Sequence, residues 1–287
     1  MKKQHVVVIA ALLGVAFLVG LVAAPYLGVQ PSTSDERIGV IVTILPQAEF
    51  VEQIGKDNIR VTVLVPPGAS PHAYEPTPGQ MKDVCQAKMY AKVGSGVEFE
   101  LVWVEKLIDT NKDMLIVDCS EGIELMGADP HIWLAPQYAI KMVENIRDGL
   151  MQVDPTNANY YEQNAAAYIQ TLTGLDAEIQ ASLEGVKSRT FMVFHPAWGY
   201  FARDYELEQI PIAVEGKEPS AQDIANLIET ANEKNITVIF VSPQFNPKSA
   251  EVIAEAIGGR VVFINPLARD YLTNMRVVTA ELVQGLS

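Results

Sequence analysis

Only two cysteines occur in the 287 residues, Cys85 and Cys119, and they form no C-x-x-C pair. That excludes a dithiol redox motif and a thiolate zinc ribbon. Each lies in or beside an expected element, so a disulfide between them and two buried thiols are both open readings. Basic residues are also scarce: 21 Lys and Arg stand against 35 Asp and Glu, for a net charge of −14. Such a body repels nucleic acid and offers no basic face to a membrane, while an acidic surface is compatible with drawing in cations. No H-E-x-x-H helix is present, so the commonest signature of a zinc hydrolase is missing.

Long apolar runs are nearly absent as well, with one exception. Lys2, Lys3 and His5 precede an apolar stretch from Val6 to Leu27, close to the roughly 20 residues a helix needs to cross a bilayer. The stretch is expected to export the chain. An uncleaved membrane anchor is favoured over a signal cleaved at Ala23-Ala24, because Pro25 would then be the first mature residue. No cysteine lies nearby, which excludes a lipid-modified N-terminus. The positive-inside rule leaves everything downstream outside the cytoplasm.

Apolar residues make up 49% of the chain, enough for one large or two ordinary cores. Beyond Asp35 short β-type runs alternate with amphipathic helical stretches. The expected order is strand Ile38 to Ile44, helix Gln47 to Ile54, strand Ile59 to Val65, helix Gln80 to Ala87, strand Met89 to Val93, helix Glu98 to Asp109, strand Met114 to Asp118 and helix Gln137 to Met151. From Asp154-Pro155 to about Lys187 one helix of roughly 30 residues is expected, about 45 Å long. The alternation then resumes with strand Thr190 to Phe194, helix Gly199 to Arg203, strand Glu206 to Val214 and helix Ala221 to Glu233. Strand Val238 to Val241, helix Pro247 to Ile257, strand Arg260 to Ile264 and helix Tyr271 to Leu286 follow. This is an α/β fold with parallel, helix-covered sheets whose strand ends open on a crevice. The expected divisions are 1–36 for anchor and linker, 37–152 for a first lobe, 153–188 for the connecting helix and 189–287 for a second lobe.

Histidine is the other rare residue, and its placement carries the functional signal. Beyond the first five residues there are three: His72, His131 and His195. Each sits beside proline in a loop-like context, as Ser-Pro-His72, Asp-Pro-His131-Ile-Trp and Phe-His195-Pro-Ala-Trp. A lone loop histidine is ordinarily a surface residue. Three of them downstream of parallel strands can converge between the two halves, and three imidazoles suit Zn²⁺, with Mn²⁺, Fe, Ni or Cu as alternatives. Pro66, Pro67, Pro71, Pro76 and Pro78 stiffen the loop that carries His72. Trp133 and Trp198 read as core packing that would also stiffen the ligands. A fourth donor is expected from Asn265, Asp270, Glu75, Glu215 or Glu218, among which spacing does not choose.

Five motifs now stand in order: Gly68-Ala-Ser-Pro-His72-Ala-Tyr-Glu-Pro-Thr-Pro, Asp129-Pro-His131-Ile-Trp-Leu, Phe194-His195-Pro-Ala-Trp-Gly-Tyr-Phe, Gly216-Lys-Glu218-Pro-Ser and Asn265-Pro-Leu-Ala-Arg-Asp-Tyr-Leu-Thr-Asn-Met. From Ile38 to the C-terminus they resemble the zinc/manganese-binding group of ABC-transporter solute-binding proteins. The resemblance implies two α/β lobes joined by one long rigid helix, with His72, His131 and His195 binding metal in the interlobe cleft. Members with glutamate at the third position are associated with manganese, so His195 favours zinc. The family's last ligand, an aspartate, falls on Asn265, whose amide oxygen is a poorer donor; Asn265, a water or Glu75 would complete the site. The His/Asp-rich insertion of many zinc members is missing between Asp118 and Asp129. The expected role is capture of Zn²⁺, or alternatively Mn²⁺, outside the cytoplasm and delivery to a membrane permease by a monomer that contacts no nucleic acid. A zinc hydrolase using Glu75 as base and a metal-stabilised adhesin are the rival classes.

Overall fold

The computed structural model describes residues 37–213 and 217–287. The expected anchor and Glu215 lie outside the described residues. The first half contains β1 (Ile38–Val42), α1 (Leu45–Gly55), β2 (Ile59–Val63), α2 (Pro78–Gln86), β3 (Met89–Lys92), α3 (Glu98–Thr110), β4 (Leu115–Asp118) and α4 (Pro136–Val153). A long helix α5 (Ala158–Leu183) follows. The second half contains β5 (Thr190–Val193), α6 (Gly199–Asp204), β6 (Glu208–Pro211), α7 (Ala221–Glu233), β7 (Val238–Val241), α8 (Lys248–Ala256), β8 (Arg260–Phe263) and α9 (Tyr271–Leu286).

Both sheets are wholly parallel and share one strand order, β2-β1-β3-β4 and β6-β5-β7-β8. The sequence explains which strands are central. In β7 the run Val-Ile-Phe-Val is buried at every position, as a strand covered on both faces requires. The edge strands carry Arg60, Glu208 and Arg260, charges that discourage pairing with another chain. Pro211 ends edge strand β6, where its missing N–H breaks no inner ladder.

Along β5 and the residue after it the side chains alternate between two apolar clusters. Phe191 and Val193 join a large cluster that continues through Val40, Phe50, Tyr168, Leu172 and Leu282. Met192 and Phe194 join a smaller one with Ile239, Val241 and Ile253 on the outer face of the second sheet. The large cluster is thus continuous from the first sheet, across α5, to the second. Its spine is the stripe Tyr161, Ala165, Tyr168, Leu172, Leu175, Ile179 and Leu183 on α5, which packs against α4, α1 and α9. At the centre the Glu49 carboxylate of α1 accepts the Tyr168 hydroxyl of α5 at 2.6 Å and the Tyr271 amide of α9 at 2.5 Å. One buried acid therefore ties both halves to the connecting helix.

Most of the expected strands lose a residue or two at an end, and two elements differ from their expected ranges for a visible reason. The connecting helix has 26 residues, about 39 Å at 1.5 Å per residue. Pro155–Asn157 forms a separate 3-10 turn before it, because Asp154 has a non-helical backbone, φ −140 and ψ 73, and its side chain accepts from Asn157 and Tyr161. Of the strand expected over Glu206 to Val214, Glu208–Pro211 is strand and Val214 lies outside the described residues; at its start Glu206 has a left-handed backbone, φ 55, and Leu207 bonds back to Ala202. The cysteines are not joined. Cys119 is buried and Cys85 exposed, so the outcome is one buried thiol and one surface thiol, which neither open reading described.

Candidate metal centre

Strand order brings the histidines together. In each sheet the chain runs outward in opposite directions from the first-traversed central strand, which leaves a crevice at the carboxyl ends of the strands. His195 lies just beyond β5, at that point of the second sheet. His72 lies in the loop after β2, and His131 in the stretch between β4 and α4. Together with Glu98, Trp133, Gln244 and Phe245 they line one cavity of about 20 Å³. Room on that scale suits a single ion or water and excludes a sugar, peptide or amino acid.

The inner part of the site is rigid. His131 and His195 are 8% and 9% exposed, and their Nε2 atoms face each other at 3.3 Å. Asp129 Oδ1 accepts both the backbone N–H of His131, at 3.0 Å, and its Nδ1–H, at 2.7 Å. That bond fixes the tautomer and leaves the Nε2 lone pair free. Asp129 is itself seated against Gly199: a Cβ there would stand 2.2 Å from Asp129 Oδ2, so only glycine lets α6 approach. The His195 ring stacks on Phe245, centroids 4.8 Å apart. Burial first, then the neighbouring His131 and His72, push its pKa down to about 3, which keeps the imidazole neutral at physiological pH. Trp133 closes the floor and donates its indole N–H to Pro266 O across the cleft at 2.7 Å.

The outer part is more open. The His72 side chain is 34% exposed and its Nδ1 lies 2.9 Å from Glu98 Oε1. That contact holds the Glu98 carboxyl below its ordinary range. The His72 ring is 5.2 Å from that of His195, centroid to centroid. Among the described residues no three side chains of His, Cys, Asp or Glu already stand in a geometry that holds a metal ion. The inner pair is formed, and His72 waits beside it on Glu98.

The chain as a whole resembles known proteins. Residues 40–285 match the family described as the zinc-uptake complex component A, periplasmic. The chain belongs to that family. The high-affinity zinc uptake system protein ZnuA of Bacillus subtilis is 32% identical over 253 residues, 81% of this chain and 79% of that protein. A crystal structure of ZnuA superposes with TM-score 0.85 at 43% identity, covering 88% of this chain and 100% of the other. The zinc-binding lipoprotein AdcA of Streptococcus pneumoniae is 32% identical over 257 residues, 82% of this chain but only 51% of AdcA. The chain thus spans about half of that relative, and the solved Zn(II)-bound ZnuA-like domain of AdcA superposes with TM-score 0.76 at 30% identity, covering 87% of this chain and 99% of the domain. Members of the zinc-uptake family are extracytoplasmic solute-binding components of transporters and not enzymes, so the hydrolase reading falls.

The proposed fourth donors fare differently from the histidines. Glu75 is exposed and does not line the cavity. Asn265 stands just before the lining residues Pro266 and Leu267, but its Oδ1 already accepts Leu267 N at 3.0 Å and Gln244 Nε2 at 3.1 Å. Asp270 caps α9 by accepting Thr273 N. Glu218 accepts the Ser249 hydroxyl and lines a separate surface cavity. Sequence reasoning missed Glu98, which reads simply as an acid in the first turn of a helix where the dipole welcomes it. It also missed Gln244, in the turn after β7. The signal that could have found both is the rule that strand-end loops of a parallel sheet carry its site.

Proposed function

We propose that the chain captures Zn²⁺ on His72, His131 and His195 and delivers it to a membrane permease. The observation that carries this reading is the 3.3 Å separation of the His131 and His195 Nε2 atoms. Two nitrogens each about 2.0–2.1 Å from a tetrahedral zinc lie about 3.3–3.4 Å apart, so the inner pair has the edge length of such a site. Two lone pairs facing each other at that distance repel unless a cation or proton sits between them. His72 joins this pair through Nε2, since Nδ1 is held by Glu98, by a small movement of its loop. An all-imidazole set is softer than one containing carboxylate and favours zinc over manganese.

The continuous apolar core between the sheets supports a limited rearrangement confined to loops rather than a wide hinge. The Lys2-Lys3 pair and the apolar stretch Val6 to Leu27 support attachment to the outer face of the cytoplasmic membrane, and a single chain is a sufficient carrier. The halves divide at 37–152, 153–188 and 189–287. Titration calorimetry on metal-stripped protein tests the reading. One tight zinc site is expected, with manganese much weaker, and no binding of either ion below millimolar would refute it.

A further inference from the structure

We propose that Gln244, through its amide oxygen, is the fourth metal donor, and that Asn265 is the residue that aims it. This rests on the reading of the cavity as a zinc site. Asn265 Oδ1 accepts the backbone N–H of Leu267 at 3.0 Å, which fixes the orientation of its amide. Gln244 approaches the same oxygen at 3.1 Å and must therefore present its NH₂ group. Its own carbonyl oxygen, Oε1, is left over. That atom is buried and has no hydrogen-bond partner, while Gln244 lines the cavity of the three histidines.

A buried acceptor without a partner is destabilising and calls for a positive group to meet it. The other buried side-chain atoms without partners among the described residues, Asp204 Oδ2 and Tyr271 Oη, belong to residues outside the cavity lining. A divalent cation held by three imidazoles supplies what Oε1 lacks, and an amide oxygen is a competent ligand for it. The oxygen of Asn265 is spent on orientation, and the donor role passes to its neighbour in the turn after the adjacent strand β7.

The test uses Gln244→Met, which keeps side-chain length and apolar packing but removes the carbonyl, with thermal melting as a folding control. Zinc affinity is measured by competition with a chromogenic chelator, and the visible spectrum of the cobalt-loaded protein reports the donor set. The expected result is a loss of zinc affinity of about tenfold or more together with a shifted cobalt spectrum. Unchanged affinity and spectrum would overturn the proposal, and so would weaker affinity with an unchanged spectrum, which would leave Gln244 a merely structural part. Asn265→Leu, which releases the Gln244 amide, is expected to reproduce both changes. Wild-type protein that binds no zinc at all would instead overturn the reading of the site itself.

Discussion

At the scale of single residues the site is built in pairs, a histidine with the group that orients it. Asp129 holds His131, Glu98 holds His72, and Phe245 supports His195. Removing an orienting carboxylate typically costs 10- to 100-fold in metal affinity. Glu98→Gln is therefore expected to weaken zinc binding by roughly tenfold while leaving the melting temperature of the metal-free protein unchanged, because Glu98 is 46% exposed. Gly199→Ala acts one step further out. The new methyl collides with Asp129 Oδ2, so calorimetry should again show weaker zinc binding although no ligand has been altered. The three histidines were legible in the sequence because they are rare and share a proline context. Their orienting partners were not, since Glu98, Asp129 and Gly199 are ordinary residue types whose roles depend on contacts between segments far apart in the chain.

At the scale of elements the loop between β2 and α2 is closed by one side chain. Gln80 donates to Val63 O at 2.9 Å and Leu64 O at 2.7 Å, and accepts from Thr77 N at 2.9 Å and the Tyr74 hydroxyl at 3.0 Å. It joins the end of β2 to the start of α2, where Thr77 is the N-cap. Gln80→Ala leaves these groups without their shared partner and should cost about 1–3 kcal/mol. Hydrogen exchange should show the loss concentrated in residues 66–77, with zinc bound more weakly. Element order and type were readable from apolar periodicity, and α7, β7 and α9 begin and end where the sequence puts them. The long helix was over-read at its start because Asp154-Pro155 is a sound helix-opening signal. Only the folded chain shows Asp154 engaged with Asn157 and Tyr161 instead.

At the scale of the whole molecule, one apolar cluster spans both sheets and the connecting helix, so the halves should unfold together. Thermal melting is expected to show a single transition that zinc raises as a unit, by about 2.7 kcal/mol at a free concentration one hundred times the dissociation constant. Two separate transitions, only one of them zinc-sensitive, would contradict this. Glu49 sits at the junction, and burial raises its carboxyl above the ordinary range despite hydrogen bonds from Tyr168 and Tyr271. The folded protein therefore keeps a proton there that the unfolded chain has lost. This contribution is fully present below about 4.3 and is lost as pH rises through the elevated folded value. Glu49→Gln should remove that slope from the stability curve just above pH 4, as seen by denaturant titration across the window.

On the proposed three-histidine site, the contrast between a buried inner pair and an exposed His72 would also set the order of events when an ion leaves. An ion bound by all three imidazoles can depart only on the side where a ligand can let go, and the inner two are clamped by Asp129 and by the Phe245 ring. On that site, residence time would be governed by one short loop and the amide of Gln80 that pins it, while the inner pair would set the depth of the binding well. A permease that tugged on residues 66–77 would speed release many-fold without disturbing either sheet.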